Sequence, residues 1–532
     1  METGLHWVDF AVIAAYLAGL SAIGLYFSRR QASLKDFLLA GQGMGWLPVG
    51  LSMMAALNSG IDYLMHPSAA MKYGLVLLLS ITTSIPLYFW ATKVTIPFYR
   101  RLQVYTAFEY LERRFDVRVR ILGAGIYILW RVGWMATAMY VPCLAISTVT
   151  GDRLSLTAMI IVLGCVVTLY TMLGGIKAVI WTDALQFCIM VSGLLVTVAI
   201  VIVSVPGGLA EIWRAGHVAG KTSWIITLPT TADIGLVDRV MLFLREPITI
   251  TGLIVSTTLA RMTIYTGDQV MVQRIQTTTS VRASRQAFLV DLISIAFWTS
   301  RLVFVGFSMF AYFQHHSMPG DLLPDRMFPH FISQTFPAGL TGLVIAAILA
   351  ASLSSTDSVI NACSAVAVVD FYNRLIRGPV SGSPDAATTT GDSATTPDEE
   401  SAEEQRRQIW VSRVASLAFG VAGTALAANV GRLGDLIEIC NKVVNAFTGP
   451  LFGIFVLGMF FVRVRATGVL VGGLVGTLTT IYIAFFTPLS FLWPSVFGLA
   501  STLLIGCASC ALGGPPASGQ NRWTFWHVRR GF

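Results

Sequence analysis

Long apolar runs constrain this chain more than any single residue does. Thirteen of them can be marked, at 7–28, 46–72, 75–99, 120–148, 155–174, 178–203, 240–272, 287–313, 337–372, 409–430, 437–462, 466–488 and 491–512. A helix needs about 20 residues to cross a ~30 Å hydrocarbon layer, whereas barrel strands alternate over about ten. Composition agrees with helices in a bilayer: 55% of the 532 residues are hydrophobic and 12% are charged. An ordinary soluble domain carries about 25% charge. A soluble globule of this size and a disordered chain are both excluded. The expected fold is an all-α polytopic membrane protein of about 13 transmembrane helices. Its expected location is the plasma (inner) membrane, as a multi-pass protein.

Basic residues set the expected orientation. With the N-terminus outside, inside segments hold 23 Lys and Arg and outside segments hold 7. Arg274 is counted in the inside set. That asymmetry predicts N-terminus outside and C-terminus inside, and it accounts for the net charge of +8 without a nucleic-acid partner. The N-terminal METGLHWVDF carries Glu2 and Asp9 and no basic cluster, so 7–28 reads as a retained first helix, not a cleaved signal. The seven cysteines lie in apolar runs and read as packed thiols, including the Cys507–Cys510 pair; His315 and His316 read as solvated. The stretch 378–405 is acidic and rich in Gly, Ser, Thr and Pro, as expected of a disordered cytoplasmic loop. The expected organisation is an extra helix and loop (1–45), one half (46–203), an outer loop (204–239), a second half (240–462) and two last helices with a tail (463–532).

Charge inside a span costs at least about 2.5–3.5 kcal/mol, so each such residue needs a partner or a task. Asp291 and Arg301 fit a packed or snorkelling role. Asp62, Asp183 and Asp357 have polar company. In Ser352–Asn361 (SLSSTDSVIN), Ser354, Ser355 and Ser358 share a helical face with Ala351, and Asp357 lies one turn from Ser354. Hydroxyls and carboxylate are hard donors that suit a hard cation; small-residue helix packing is the competing explanation. Asn58-Ser59-Gly60 interrupts the second run, and Tyr265-Thr266-Gly267-Asp268-Gln269 interrupts the seventh. Two weak points at corresponding positions of two halves point to an inverted-repeat transporter whose broken helices expose carbonyls at mid-bilayer.

Four motifs then carry a resemblance. YTMLGGIKAVIWTDALQ at 170–186, TAFEYLERRF at 106–115, GDQVMVQR at 267–274 and SLSSTDSVIN at 352–361 leading to VVDFY at 368–372 resemble, in order and spacing, the sodium/solute symporter family. The resemblance implies a leucine-transporter-like 5+5 inverted repeat with the first helix outside the core. It implies a sodium ion held by the carbonyls of Ala55, Asn58 and Ala351 and the hydroxyls of Ser354 and Ser355. A second sodium site in some members would use Ser354, Asp183, Asp357 and Ser358. Relatives contact solute after the helix break, which here means Leu57, Ser59, Ile61, Asp62, Tyr63 and His66; Tyr265 and Asp268 at the second break are further candidates. The run 67–74 (PSAAMKYG) and the run 140–151 (YVPCLAISTVTG) look more like the monocarboxylate, iodide and sialic acid branches than the sugar carriers.

The sialic acid carriers place an arginine where this chain has Trp134. Arg131 lies one turn earlier, and it either forks a substrate carboxylate or pairs with Asp62 or another acid. The expected function is therefore sodium-coupled import of a small organic solute, first of all a carboxylate or other organic anion. The expected partners are the solute, sodium and membrane lipid, with no protein partner implied. A proton-coupled carrier titrating Asp62 or Asp357 and a transporter-like solute sensor stay open. No nucleophile–base pair or phosphate loop suggests an enzyme.

Overall fold

The computed structural model describes residues 5–28, 34–225, 235–320, 322–376, 402–432, 436–511 and 520–530. Among them the structure is helical, with one isolated backbone bridge between Met44 and Thr278 and no strand. The elements that build the centre are α1 (Trp7–Ser28), α2 (Trp46–Leu57), α3 (Gly60–Tyr73), α4 (Ala107–Arg114), α5 (Val117–Val149), α6 (Leu156–Ser204), α7 (Ile250–Gly267), α8 (Gln269–Thr277), α9 (Val281–His315) and α10 (Leu340–Val366).

Nine helices among the described residues are long and apolar enough to cross a membrane, or ten if the bent pair Leu236–Arg245 and α7 is one span. This is fewer than the thirteen apolar runs because neighbouring runs abut end to end. Gly60–Leu102 covers two runs with a break at Gly74 (φ 74°, ψ −151°), and α6 also covers two. At 49 residues α6 is two helices joined end to end; one straight helix of that length would run about 70 Å, over twice the hydrocarbon thickness. It turns at Gly175, whose φ of 59° and ψ of −173° suit a residue without a Cβ. Trp46–Leu57 and Pro494–Ser509 are apolar but shorter than 18 residues. Most of the acidic loop expected at 378–405 lies outside the described residues; the helix Ala402–Val430 takes in the last four residues of that stretch.

Both predicted interruptions are present. Asn58 leaves the helix with extended φ and ψ of −99° and 108°, while its Nδ2 donates back to the Met54 carbonyl at 2.9 Å. Ser59 and Asp62 then start α3 as a reciprocal cap: the Ser59 hydroxyl accepts from Ile61 N and the Asp62 carboxylate accepts from Ser59 N at 2.7 Å. At the second break Asp268 is extended, and its carboxylate accepts from Val270 N at 2.9 Å, which starts α8. The Tyr99 hydroxyl donates to the Thr266 carbonyl, which satisfies a backbone acceptor freed by the break, and Trp90 Nε1 donates to the Thr266 hydroxyl at 2.8 Å.

The α10 helix is the axis of the bundle, and every residue from Val344 to Val366 is buried. It packs on α6, α5, α1 and α2. Its start is fixed by the first helix: Asp9, itself buried, accepts from Gly339 N and Gly342 N, both at 2.7 Å. An anion at a helix N-terminus satisfies donors that have no intrahelical partner. The far end is latched by the TAFEYLERRF segment. Thr106 and Glu109 cap α4. Asp370, just past α10, then accepts from the Thr106 hydroxyl at 2.8 Å and from Arg120 Nε at 2.6 Å. Glu112 bridges Arg120 at 2.7 Å and Arg374 at 2.5 Å.

Candidate functional site

The break between α2 and α3 lies against the serine face of α10. The Ser354 hydroxyl is within hydrogen-bond reach of two carbonyls at once, Ala55 at 2.8 Å and Ala351 at 3.0 Å. The Ser355 hydroxyl reaches the neighbouring Ala56 carbonyl at 3.3 Å. Asn58 sits in the extended link beside them. Four of the five residues expected at the first sodium ion, Ala55, Ala351, Ser354 and Ser355, thus meet across two helices 299 positions apart in sequence. The approach depends on Gly60: a Cβ there would sit 2.9 Å from the Ile348 carbonyl and would also strike the Ser352 hydroxyl. The donors are uncharged hard oxygens, a set that fits a monovalent hard cation. Among the described residues no group of three His, Cys, Asp or Glu could hold a transition metal.

The second constellation is built around a residue that sequence reasoning placed elsewhere. Arg274, counted above among inside-loop cations, is fully buried. Its Nη2 donates to Asp183 Oδ2 at 2.7 Å and to the Ser358 hydroxyl at 2.6 Å, its Nε donates to the Ser52 hydroxyl at 2.8 Å, and its Nη1 donates to the Val270 carbonyl at 3.0 Å. Ser52 also donates to Asp183 at 2.5 Å. Asp357 is held separately: the Tyr170 hydroxyl donates to it at 2.8 Å and the Ser358 hydroxyl at 3.3 Å. Asp183, Asp357 and Ser358 are therefore neighbours, as the second sodium set requires. Two of the three, however, already share a guanidinium.

On the solute side, the structure takes the ion-pair alternative for Arg131. It pairs with Asp268, and both are buried. Tyr265 donates its hydroxyl to Asp291, and Tyr63 donates to the Met190 carbonyl at 2.8 Å while packing between Trp298 and Phe328. These two tyrosines are held by protein groups and are buried. Leu57 and Trp134 are half-buried, and Ser59 is buried. Asp62 keeps 20% of its side chain exposed beside His66 at 31%, with Nδ1 3.5 Å from the carboxylate. Arg261, on α7, is different from the other intramembrane cations. It is half-buried, and its Nη1 donates to the hydroxyls of Thr83 at 2.9 Å and Ser84 at 3.3 Å. It has no carboxylate within ion-pair distance among the described residues.

Arg274 and Arg261 are the residues that sequence reasoning left out of the site. A signal for Arg274 existed. It lies six residues past the Asp268 break, on a helix of only nine residues, so it begins near mid-bilayer and has no length to reach a loop. Arg261 was visible as an unpaired charge in a span, but its hydroxyl partners come from 177 and 178 positions away.

Comparison with known proteins places this geometry. The sodium:solute symporter family matches residues 37–382 and 386–476. The sodium/sialic acid symporter of Aliivibrio fischeri is 28% identical over 515 residues, covering 94% of this chain and 92% of its own. The sodium-dependent multivitamin transporter of Oryctolagus cuniculus is 30% identical over 489 residues, covering 90% and 70%. Among solved structures, a substrate-bound outward-open sodium-coupled sialic acid symporter with a novel sodium site superposes with a TM-score of 0.81 at 25% identity, covering 96% and 99%. The nucleobase-cation-symport transporter Mhp1 in a closed conformation shares the fold at a TM-score of 0.55 and 11% identity, covering 92% and 97%.

Proposed function

The chain belongs to the sodium:solute symporter family, and on that premise we propose that it imports a small organic anion, first of all a carboxylate, together with sodium. The observation that carries this is the Ser354 hydroxyl bound to the Ala55 and Ala351 carbonyls. A sodium ion among these oxygens and those of Asn58 and Ser355 clamps the broken α2–α3 span to α10. Bound ion then favours one arrangement of the two halves, which is the requirement for coupling. The proposed topology is thirteen crossings, N-terminus outside, C-terminus inside, with a 5+5 inverted repeat over 46–203 and 240–462 and sodium as the coupling ion.

Asp183, Asp357 and Ser358 form a second sodium set only when Arg274 withdraws from Asp183 and Ser358. A second ion is therefore tied to movement of α8. Each sodium ion crossing ~100 mV releases about 2.3 kcal/mol, roughly a fifty-fold solute gradient.

For the solute, Arg131 is neutralised by Asp268, which leaves Arg261 as the cation to meet a carboxylate. The Leu57, Ser59, Asp62 and Tyr63 segment would line the other side, with Trp134 facing it. Asp62 and His66 suit a solute that also carries hydroxyl or amide donors. Similar proteins named for sialic acid and monocarboxylates handle carboxylates, which supports this class. The test is uptake into proteoliposomes of a labelled carboxylate panel, with sodium or potassium outside. Accumulation in sodium alone is expected. Equal uptake in potassium, driven by a pH gradient, would overturn sodium coupling; binding without accumulation would make the protein a sensor.

A further inference from the structure

Outside the transport path, two helices build a cationic cavity of about 220 Å³ at one end of the bundle. One is the helix that continues from Ser84–Trp90 through a wide π turn at Ala91–Thr95 into Ile96–Leu102; the other is the start of α9. Lys93, Arg282 and Arg285 converge on the cavity, with Tyr88, Gln286 and Leu289 beside them. No acid lines it. Arg285 Nε donates to the Thr92 carbonyl in the π turn at 3.1 Å, which ties the helices together. Lys93 and Arg282 are exposed and make no ion pair among the described residues.

Deeper along the same two helices the surface turns apolar. Ile85 and Phe89 on one, and Leu289 and Ile293 on the other, are exposed. Their spacing puts them in line with the cations: 85, 89 and 93 on one helix, and 282, 285, 289 and 293 on the other. Both stripes run in the same sense, cations at one end and bare hydrocarbon next to it. A soluble anion has no use for the apolar wall, and a lipid tail has none for three cations.

We propose that this cavity binds the head group of an anionic phospholipid of the inner leaflet, with acyl chains lying along Ile85, Phe89, Leu289 and Ile293. Arginine matches a phosphodiester in fork geometry, and lysine adds a point charge. Tyr88, exposed beside these cations, is the kind of ring that anchors at a membrane interface. The inner-leaflet assignment rests on the orientation proposed above. The binding itself is read without transport, so its failure is separable from failure of sodium coupling.

The experiment is native mass spectrometry and thermal melting of the purified chain titrated with phosphatidylglycerol, phosphatidylcholine or glycerol phosphate. Phosphatidylglycerol is expected to bind and stabilise. Phosphatidylcholine is expected to be much weaker, and glycerol phosphate is expected not to compete. Lys93→Gln and Arg282→Gln, whose side chains hold no structural ion pair, should each weaken phosphatidylglycerol binding about five-fold. Arg529→Gln with Arg530→Gln removes the same kind of charge elsewhere on the proposed inner face and should leave it unchanged. Equal loss in that control would reduce the effect to general charge attraction and overturn the site. So would unchanged binding in Lys93→Gln/Arg282→Gln, equal binding of phosphatidylcholine, or full competition by glycerol phosphate.

Discussion

Removing both partners of the Arg274–Asp183 pair should cost no more than removing one. The two groups are fully buried with 2.7 Å between nitrogen and oxygen. At an effective dielectric of ~20, unit charges at that separation attract by about 6 kcal/mol. Desolvation offsets part of this, and breaking a buried pair from one side costs about 3–5 kcal/mol, because the remaining charge has no counterion. Asp183→Asn leaves the guanidinium with hydroxyls and one carbonyl; Arg274→Gln leaves the carboxylate with Ser52. Scaled to the unfolding entropy of a 532-residue chain, each loss corresponds to a melting temperature lower by roughly 3–5 °C. The double variant removes both charges and should lie close to the milder single variant. The assay is melting followed by tryptophan fluorescence in sodium and in potassium, for wild type, both singles and the double. The coupling between the two substitutions should reach at least about 2 kcal/mol. Additive losses in the double variant would show that the two residues stabilise independently and would refute the pair as the organising contact.

Ser354→Ala should weaken sodium-dependent stabilisation by about ten-fold or more in sodium affinity, since it removes the oxygen common to Ala55 and Ala351; a sodium titration of the melting temperature reads this. Gly60→Ala should leave a folded protein with lost or much reduced sodium stabilisation, because the added Cβ meets the Ile348 carbonyl at 2.9 Å; unchanged sodium affinity would argue against the clamp. Arg261→Gln should abolish uptake of carboxylates while sodium stabilisation persists, and Arg261→Lys should recover part of it. Asp9→Ala should lower the melting temperature by about 1–2 °C by uncapping α10, a loss of about 1–2 kcal/mol, with no change in solute selectivity.

Local signals were legible in sequence and tertiary partners were not. The breaks at Asn58 and Asp268 follow from residues that hydrogen-bond their own backbone next to glycine, information held within five positions. The serine face of α10 follows from helical spacing alone. Arg274 was misplaced because an apolar window measures contact with lipid and does not show that a helix has just restarted at mid-bilayer. The pairing of Arg131 with Asp268 spans 137 positions, and nothing near either residue states a preference for the other. The apolar runs outnumber the helices because abutting spans leave almost no gap between them; Gly175 breaks α6 with a single non-helical residue, so two runs sit in one element.

The anchoring of Asp9 on Gly339 and Gly342 has a practical consequence. The first helix lies outside the proposed repeat, yet its N-terminal turn is bonded to the start of the helix that carries Ser354 and Ser355. A fluorophore or spin label placed beside Trp7, itself exposed, would therefore travel with α10. Its distance to a second label on α9 would report the position of the ion-binding helix during a transport cycle, with every residue of the site left in its native form.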